Sequence, residues 1–126
     1  MSEVRVTTLK DTAGSNASTS AEIFTGRAKA WVNFNGQGTV AIRDDYNVNT
    51  VGDLGSGQYR VNFTTAIGNA NYAAVAGGSR LGTQPTDSAY HGFYNFASGS
   101  LDCCSAGGIN VLSDPPVFTA AVFSSL

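Results

Sequence analysis

Charged side chains are scarce in this chain. They make up 13% of its 126 residues, against about a quarter in an average soluble domain. Its seven Lys and Arg residues are spread along the sequence, and the formal net charge is −2. Phosphate binding needs a basic face, so we do not expect a nucleic-acid partner. A weakly charged surface suits a protein that other subunits partly cover, because burying charge costs desolvation energy.

Long apolar runs are also missing. No segment reaches the roughly 20 apolar residues that a membrane-spanning helix needs. The first residues, MSEVRV, lack the apolar core of a secretory signal. We therefore expect no membrane insertion, and folding in a cytoplasm.

Cysteine is limited to two adjacent residues, Cys103 and Cys104. A bridge between neighbours departs far from ordinary disulfide geometry, and adjacent cysteines lack the spacing of a zinc site. In a strand the two side chains point to opposite faces. We expect reduced thiols that act as small apolar groups, with no metal or cofactor.

Catalytic motifs are absent. The chain has one histidine, His91, and a dyad with Cys103 is conceivable, but nothing in the local sequence indicates an activated nucleophile. The sequence therefore predicts no enzyme activity and no catalytic residues.

The only acidic doublet is Asp44-Asp45. A turn could gather it with Asn47 and Asn49 around Ca²⁺, but the ligand order of an EF-hand is missing. A solvated turn that disrupts an edge strand is the favoured interpretation.

Apolar residues alternate from Arg27 onward, which predicts a half-buried strand. Asn35-Gly36 marks a tight turn, and residues 39–43 form the returning strand. The side chains expected inside are Ala28, Ala30, Val32 and Phe34, and those expected outside are Lys29, Trp31 and Asn33.

Turn signals recur every 8–12 residues along the rest of the chain, and helix signals are nearly absent. Seven to nine short strands predict an all-β fold, an antiparallel β-sandwich of jelly-roll-like form over residues 27–126. We expect turns at residues 52–57 and 77–78, a loop over 79–89, a strand over 109–112 and a closing strand over 117–123.

Residues 1–26 are predicted to form an extended N-terminal arm and linker. Residues 2–10 alternate as a short strand, and residues 11–20 are polar and turn-rich, with no periodicity for a helix. An isolated strand is not stable alone, so the arm needs a partner. The anchoring side chains would be Val4, Val6 and Leu9.

Aromatic side chains supply candidate contacts outside the core. Trp31, Tyr90 and Phe93 could lie at a subunit interface, where aromatics are enriched, or stack on a sugar ring. We favour the core or interface role for Trp31.

Several motifs resemble one module of small structural and fibre proteins of tailed bacteriophages, above all phages of marine bacteria and cyanobacteria. The resemblance is dense over residues 27–76, weaker over 77–112, and returns at the end. The motifs are VRVTTL (4–9), RAKAWVNFNG (27–36), GTVAIR (38–43), YNV (46–48), GQYRVNFTT (57–65), NANY (69–72) and VFTAAVF (117–123).

This resemblance implies a homotrimeric β-rich protein on the virion surface, assembled in the host cytoplasm. Its N-terminal arm would anchor it to other virion proteins of the capsid or tail, and its β-domain would project outward. A chain of 126 residues lacks the shaft and separate adhesin tip of a long tail fibre. A short head fibre, decoration protein or small tail appendage fits better. The alternative is a tail-fibre adhesin that binds host-surface polysaccharide.

Overall fold

The computed structural model describes residues 2–79, 89–108 and 110–125, and in these ranges the chain is mostly strand, with one helix. Every strand pairing among them is antiparallel, which confirms the all-β class. The elements are β1 (Thr8–Lys10), β2 (Ala17–Thr19), α1 (Ser20–Gly26), β3 (Ala30–Asn35), β4 (Ala41–Tyr46), β5 (Val48–Gly55), β6 (Gln58–Phe63), β7 (Ala73–Ser79), β8 (Tyr90–Ala97), β9 (Ser100–Gly108), β10 (Val111–Leu112) and β11 (Val117–Phe123).

A four-stranded sheet has the order β4-β3-β11-β7. Its two central strands bury alternate side chains, as the period-two pattern predicts. On β3, Val32 and Phe34 are buried and Trp31 lies on the opposite face, and on β11 Phe118 and Val122 are buried. The predicted inward and outward faces of β3 are thus confirmed.

A five-stranded sheet is centred on β9. β6 and then β5 lie on one side of β9, β8 pairs with its other side, and the short β10 pairs beyond the end of β6. Tyr59 and Val61 of β6 are buried together with Leu101 and Cys103 of β9. Cys104 is only half-buried, so the two cysteines point to opposite faces, as expected.

The two sheets contribute to one apolar core. Phe34 stacks on Phe118 with 5.1 Å between ring centroids, and Tyr59 from the other sheet meets Phe34 edge-on at 5.0 Å. The Tyr59 hydroxyl lies 2.8 Å from an oxygen of Asp114. Gly36 lies against the same hydroxyl, where any side chain would collide with it. The jelly-roll-like sandwich stays a prediction.

Asn47 connects the two sheets as a single residue between β4 and β5. Its φ of 57° lies in the left-handed region, which asparagine tolerates better than most residues. Its side-chain amide donates to the carbonyls of Lys29 and Thr65, each at 3.0 Å, and accepts from the Thr65 N–H at 2.8 Å. These hydrogen bonds fix the corner where the chain changes sheets.

Several local predictions were wrong. Residues 2–10 form a strand only at β1, and the helix α1 replaces part of the expected linker. Of the turn expected over 52–57, only residues 56–57 form the turn, because β5 continues to Gly55, and Gly77-Gly78 lie inside β7. Most of the loop expected over 79–89, and residue 109 of a predicted strand, fall outside the described residues.

Asp44 and Asp45 do not break their strand either. β4 runs through both, and the irregularity is one residue earlier, because Arg43 has no partner in the register against β3. Across the described ranges, no helix is long and apolar enough to cross a membrane.

An ion pair between a buried carboxylate and a partly exposed guanidinium lies on the outer face of the five-stranded sheet. Asp102 is 1% exposed, and the Arg60 guanidinium donates to both its oxygens, at 2.6 and 2.7 Å. Asn95 Nδ2 donates a third hydrogen bond at 3.0 Å. The hydrogen bonds from Arg60 lower the pKa of Asp102, so the carboxylate stays charged.

Replacing Arg60 with Met should destabilise the protein, because it leaves the buried Asp102 charge without its ionic partner. The loss should be smaller than for a fully buried pair, because the Arg60 side chain is 44% exposed. The double variant Arg60→Met/Asp102→Leu should recover most of this loss, since the charge is gone. Urea denaturation at neutral pH measures both. An unchanged stability of the single variant, or an equal loss in the single and double variants, would contradict this role of Arg60.

Candidate functional site

The N-terminal docking unit, residues 2–26, is the candidate functional site. Its strands β1 and β2 pair in the register Thr8↔Thr19 to Lys10↔Ala17. The connecting turn is held by Asp11, whose carboxylate accepts from the Ser15 N–H at 2.9 Å and from the Asn16 amide at 2.8 Å. The hairpin therefore has a defined geometry.

Helix α1 begins at a capping box directly after β2. The Thr19 hydroxyl accepts from the Glu22 N–H at 3.1 Å, and a Glu22 carboxylate oxygen accepts from the Thr19 N–H at 2.7 Å. The pattern Thr-x-x-Glu is a sequence signal for a helix start, and the sequence prediction missed it. These bonds to Thr19 lower the pKa of Glu22.

The docking unit exposes its apolar side chains. Leu9 is 60% exposed, Ile23 46% and Phe24 40%, and every residue of the unit is exposed. With Val6, these side chains line an open concavity of roughly 290 Å³. A two-stranded hairpin and a seven-residue helix are each too small to be stable alone. The unit thus presents an exposed apolar surface.

Arg27 lines this concavity, and a second cation, Lys29, lies beside Phe24. Lys29 Nζ lies 3.3 Å from the centroid of the Phe24 ring, and the Arg27 guanidinium carbon lies 4.9 Å from it. Lys29 also donates to the Phe24 carbonyl. The charges hold Phe24 at the end of α1 and give the concavity a positive margin.

The sequence predicted part of this surface. Leu9 and Val6 line the concavity, while Val4 is 90% exposed and does not line it. The sequence analysis missed Ile23 and Phe24, which belong to α1. The capping signal at Thr19 could have found them.

The outer face of the four-stranded sheet is a second candidate surface. Its register aligns Tyr46, Trp31, Ala121 and Val75 in one row across all four strands. Trp31 is 37% exposed and Tyr46 51%. Trp31 thus lies outside the core and next to another exposed aromatic.

Tyr90 and Phe93 are not brought together with Trp31, because they belong to the five-stranded sheet. Tyr90 is exposed at the start of β8, opposite Ala106. Phe93 points to the other face of β8 and packs against the core. The three aromatics expected as possible contacts therefore lie on separate surfaces.

The Cys103 thiol is not activated. Burial raises its pKa to about 12, and the strand register places His91 opposite Ser105 rather than Cys103. The His91 ring meets Phe118 edge-on at 4.8 Å. Its ring lies close to the Gly78 backbone, but among the described residues neither ring nitrogen has a partner with hydrogen-bond geometry.

Asp44 and Asp45 are exposed on an edge strand, where the Asp44 carboxylate accepts from the Asp45 N–H at 3.0 Å. Within the described residues, no group of three or more His, Cys, Asp or Glu side chains could hold a metal ion. The geometry around this doublet is that of a solvated strand edge.

Comparison of the chain with protein-family models, with curated proteins and with solved structures finds no match. The resemblance to phage structural proteins thus rests on the sequence motifs alone.

Acid should weaken the fold through His91. Burial lowers its pKa from the ordinary 6.5, so the unfolded chain takes up a proton before the folded chain does as pH falls below about 6.5. We expect the free energy of unfolding to fall between pH 7 and pH 5. Replacing His91 with Phe should flatten this dependence.

Urea denaturation at several pH values measures the effect. The carboxylates Asp11, Glu22 and Asp102 have lowered pKa values, so their stabilisation is lost only below about pH 4. The same slope between pH 7 and pH 5 in wild type and in the His91 variant would contradict the assignment.

Proposed function

We propose that this chain is a structural protein of a bacteriophage virion. In this proposal it forms a short homotrimeric fibre or decoration-type appendage on the virion surface. The N-terminal docking unit anchors it to capsid or tail proteins. The two sheets form a jelly-roll-like β-sandwich that projects outward.

The observation that supports this proposal is that the docking unit is regularly folded although all of its residues are exposed. It combines a registered hairpin, a capped helix and an apolar concavity, yet none of its residues is buried. Exposed apolar surface of this kind marks an interaction site. A partner that covers Leu9, Ile23 and Phe24 supplies the burial that the unit itself lacks.

The margin of the concavity defines the partner surface further. Arg27 and Lys29 both lie beside Phe24, so an apolar ridge flanked by carboxylates is the best complement. The phage motifs supply the identity of the partner class. The exposed apolar lining of the concavity supports it as the place of contact in this proposal.

Replacing Ile23 with Asp should remove the chain from the particle. The variant places a charge in the concavity, and its desolvation opposes docking. If burying this charge costs about 1.4 kcal/mol or more of binding free energy, the affinity for the particle falls at least tenfold. We therefore expect at least a tenfold fall in the copies per particle. Thermal unfolding of the β-domain should be unchanged. Quantitative mass spectrometry of particles assembled with the variant measures the copies.

Leu54→Asp is the matched control, because Leu54 is exposed to the same 46% but lies on β5, far along the chain from the docking unit. It should leave the copy number at the wild-type value. Equal loss in both variants would show a general effect of charge, and no loss in either would remove the docking unit as the anchor.

A host-glycan adhesin is the second candidate function. The observation that favours it is the cross-strand pair Trp31–Tyr46, which places two partly exposed rings side by side. Aromatic rings on an exposed face can stack on the apolar face of a sugar.

For this adhesin, Trp31→Ala should abolish binding to host polysaccharide on a glycan array, and Tyr90→Ala on the other sheet should not. The reason is that Trp31 lies opposite the exposed Tyr46 on the neighbouring strand, whereas Tyr90 lies opposite Ala106. An array on which wild-type protein binds no glycan would remove this candidate.

A further inference from the structure

The four long outer strands of the two sheets differ in how they resist pairing with another chain. Edge strands are normally protected by bulges, charges or proline. β4 carries the irregularity at Arg43 together with Asp44 and Asp45. β5 has register shifts near both ends and carries Asp53. β8 has a register shift between Tyr94 and Ala97.

β7 has none of these features. Its seven residues pair with β11 in an unbroken register from Val117↔Ser79 to Phe123↔Ala73. Its sequence, AAVAGGS, contains no charge and no proline. At Gly78 the His91 ring approaches the backbone, so the open part of the edge is residues 73–77. In the described parts of the chain, no second strand pairs with β7.

An unprotected edge of this kind accepts an added strand, whose main chain completes the hydrogen-bond ladder. The side chains beside the edge define what the added strand should carry. Val75 is 56% exposed and ends the row of Tyr46, Trp31 and Ala121. An added strand with an apolar side chain next to Val75 would extend this row.

Residues 2–7 have the properties of that strand. They precede β1, lie outside any described strand and are exposed throughout. Val4 and Val6 alternate with Glu3 and Arg5, as in a strand with one apolar face. Arg5 donates to Glu3 at 2.8 and 3.1 Å, so the side chains of the segment add no net charge to an uncharged edge. The segment matches the five open residues of β7 in length, with Thr7 at its junction with the hairpin, where the Thr7 carbonyl accepts from the Ser20 N–H at 3.2 Å.

We propose that residues 2–7 of one chain add as a strand to the β7 edge of a second copy. The contact is head-to-tail, since it joins two different surfaces, and such contacts generate closed rings when the rotation permits. This inference rests on the homotrimer of the proposed function and names the contact that forms it. In this arrangement Val4 and Val6 join copies of the chain instead of anchoring it, and Val6 leaves the concavity. Residues 8–26, with Leu9, Ile23 and Phe24, remain available to bind the particle.

The test is the solution mass of four variants by light scattering. Val75→Lys places a charge beside the accepting edge, and Val4→Pro removes a backbone donor from the added strand. Both side chains are exposed, so the fold should persist. Wild type should have three times the 13.0 kDa mass of one chain, and both variants should fall to the mass of one chain.

Two controls separate this inference from the anchor. Leu54→Lys adds the same charge at the β5 edge and should stay trimeric. Ile23→Asp alters the docking concavity and should also stay trimeric, although it loses particle binding. The inference is overturned if Val75→Lys and Val4→Pro both remain trimers, and in that case the particle-binding result still decides the proposed anchor.

A monomeric wild type would overturn both the trimer and the inference. Amide hydrogen exchange then identifies the occupant of β7. If the amides of residues 4–6 are protected from exchange in the monomer, and Val75→Lys abolishes this protection, the segment pairs with β7 of its own chain.

Discussion

The contact of Phe34, Tyr59 and Phe118 is the interaction on which the rest of the structure depends. Phe34 and Phe118 belong to the four-stranded sheet, and Tyr59 belongs to the five-stranded sheet. All three are fully buried, so they join the sheets with a large apolar area. Burial and Asp114 raise the pKa of Tyr59, which keeps its hydroxyl a donor inside the core.

The core faces could be predicted from the sequence because their signal is local. Alternation at Ala30, Val32 and Phe34 needs only the period of a strand, and the burial of these residues confirms it. The turn at Asn35-Gly36 follows from the same kind of signal, and β4 indeed returns beside β3. The sequence also indicated that the two cysteines point apart, which requires only strand geometry.

The sheet partners could not be predicted in the same way, because pairing depends on residues far apart in sequence. β11 lies between β3 and β7, and nothing local at 117–123 specifies that position. The separation of Trp31 from Tyr90 and Phe93 follows from this topology. The helix α1 was not predicted for a different reason. Its capping box at Thr19 and Glu22 is a short signal, and the surrounding Ser, Thr and Asn residues favour a linker.

The proposed role depends on the exposed apolar side chains of the docking unit and assigns the chain to a phage particle. Its most direct test is quantitative mass spectrometry of virus particles purified from infected cells that produce the chain. The proposal predicts that the chain is present in a fixed number of copies, a multiple of three, relative to the major capsid protein. Abundant chain in the infected cells together with its absence from the purified particles would contradict the proposal.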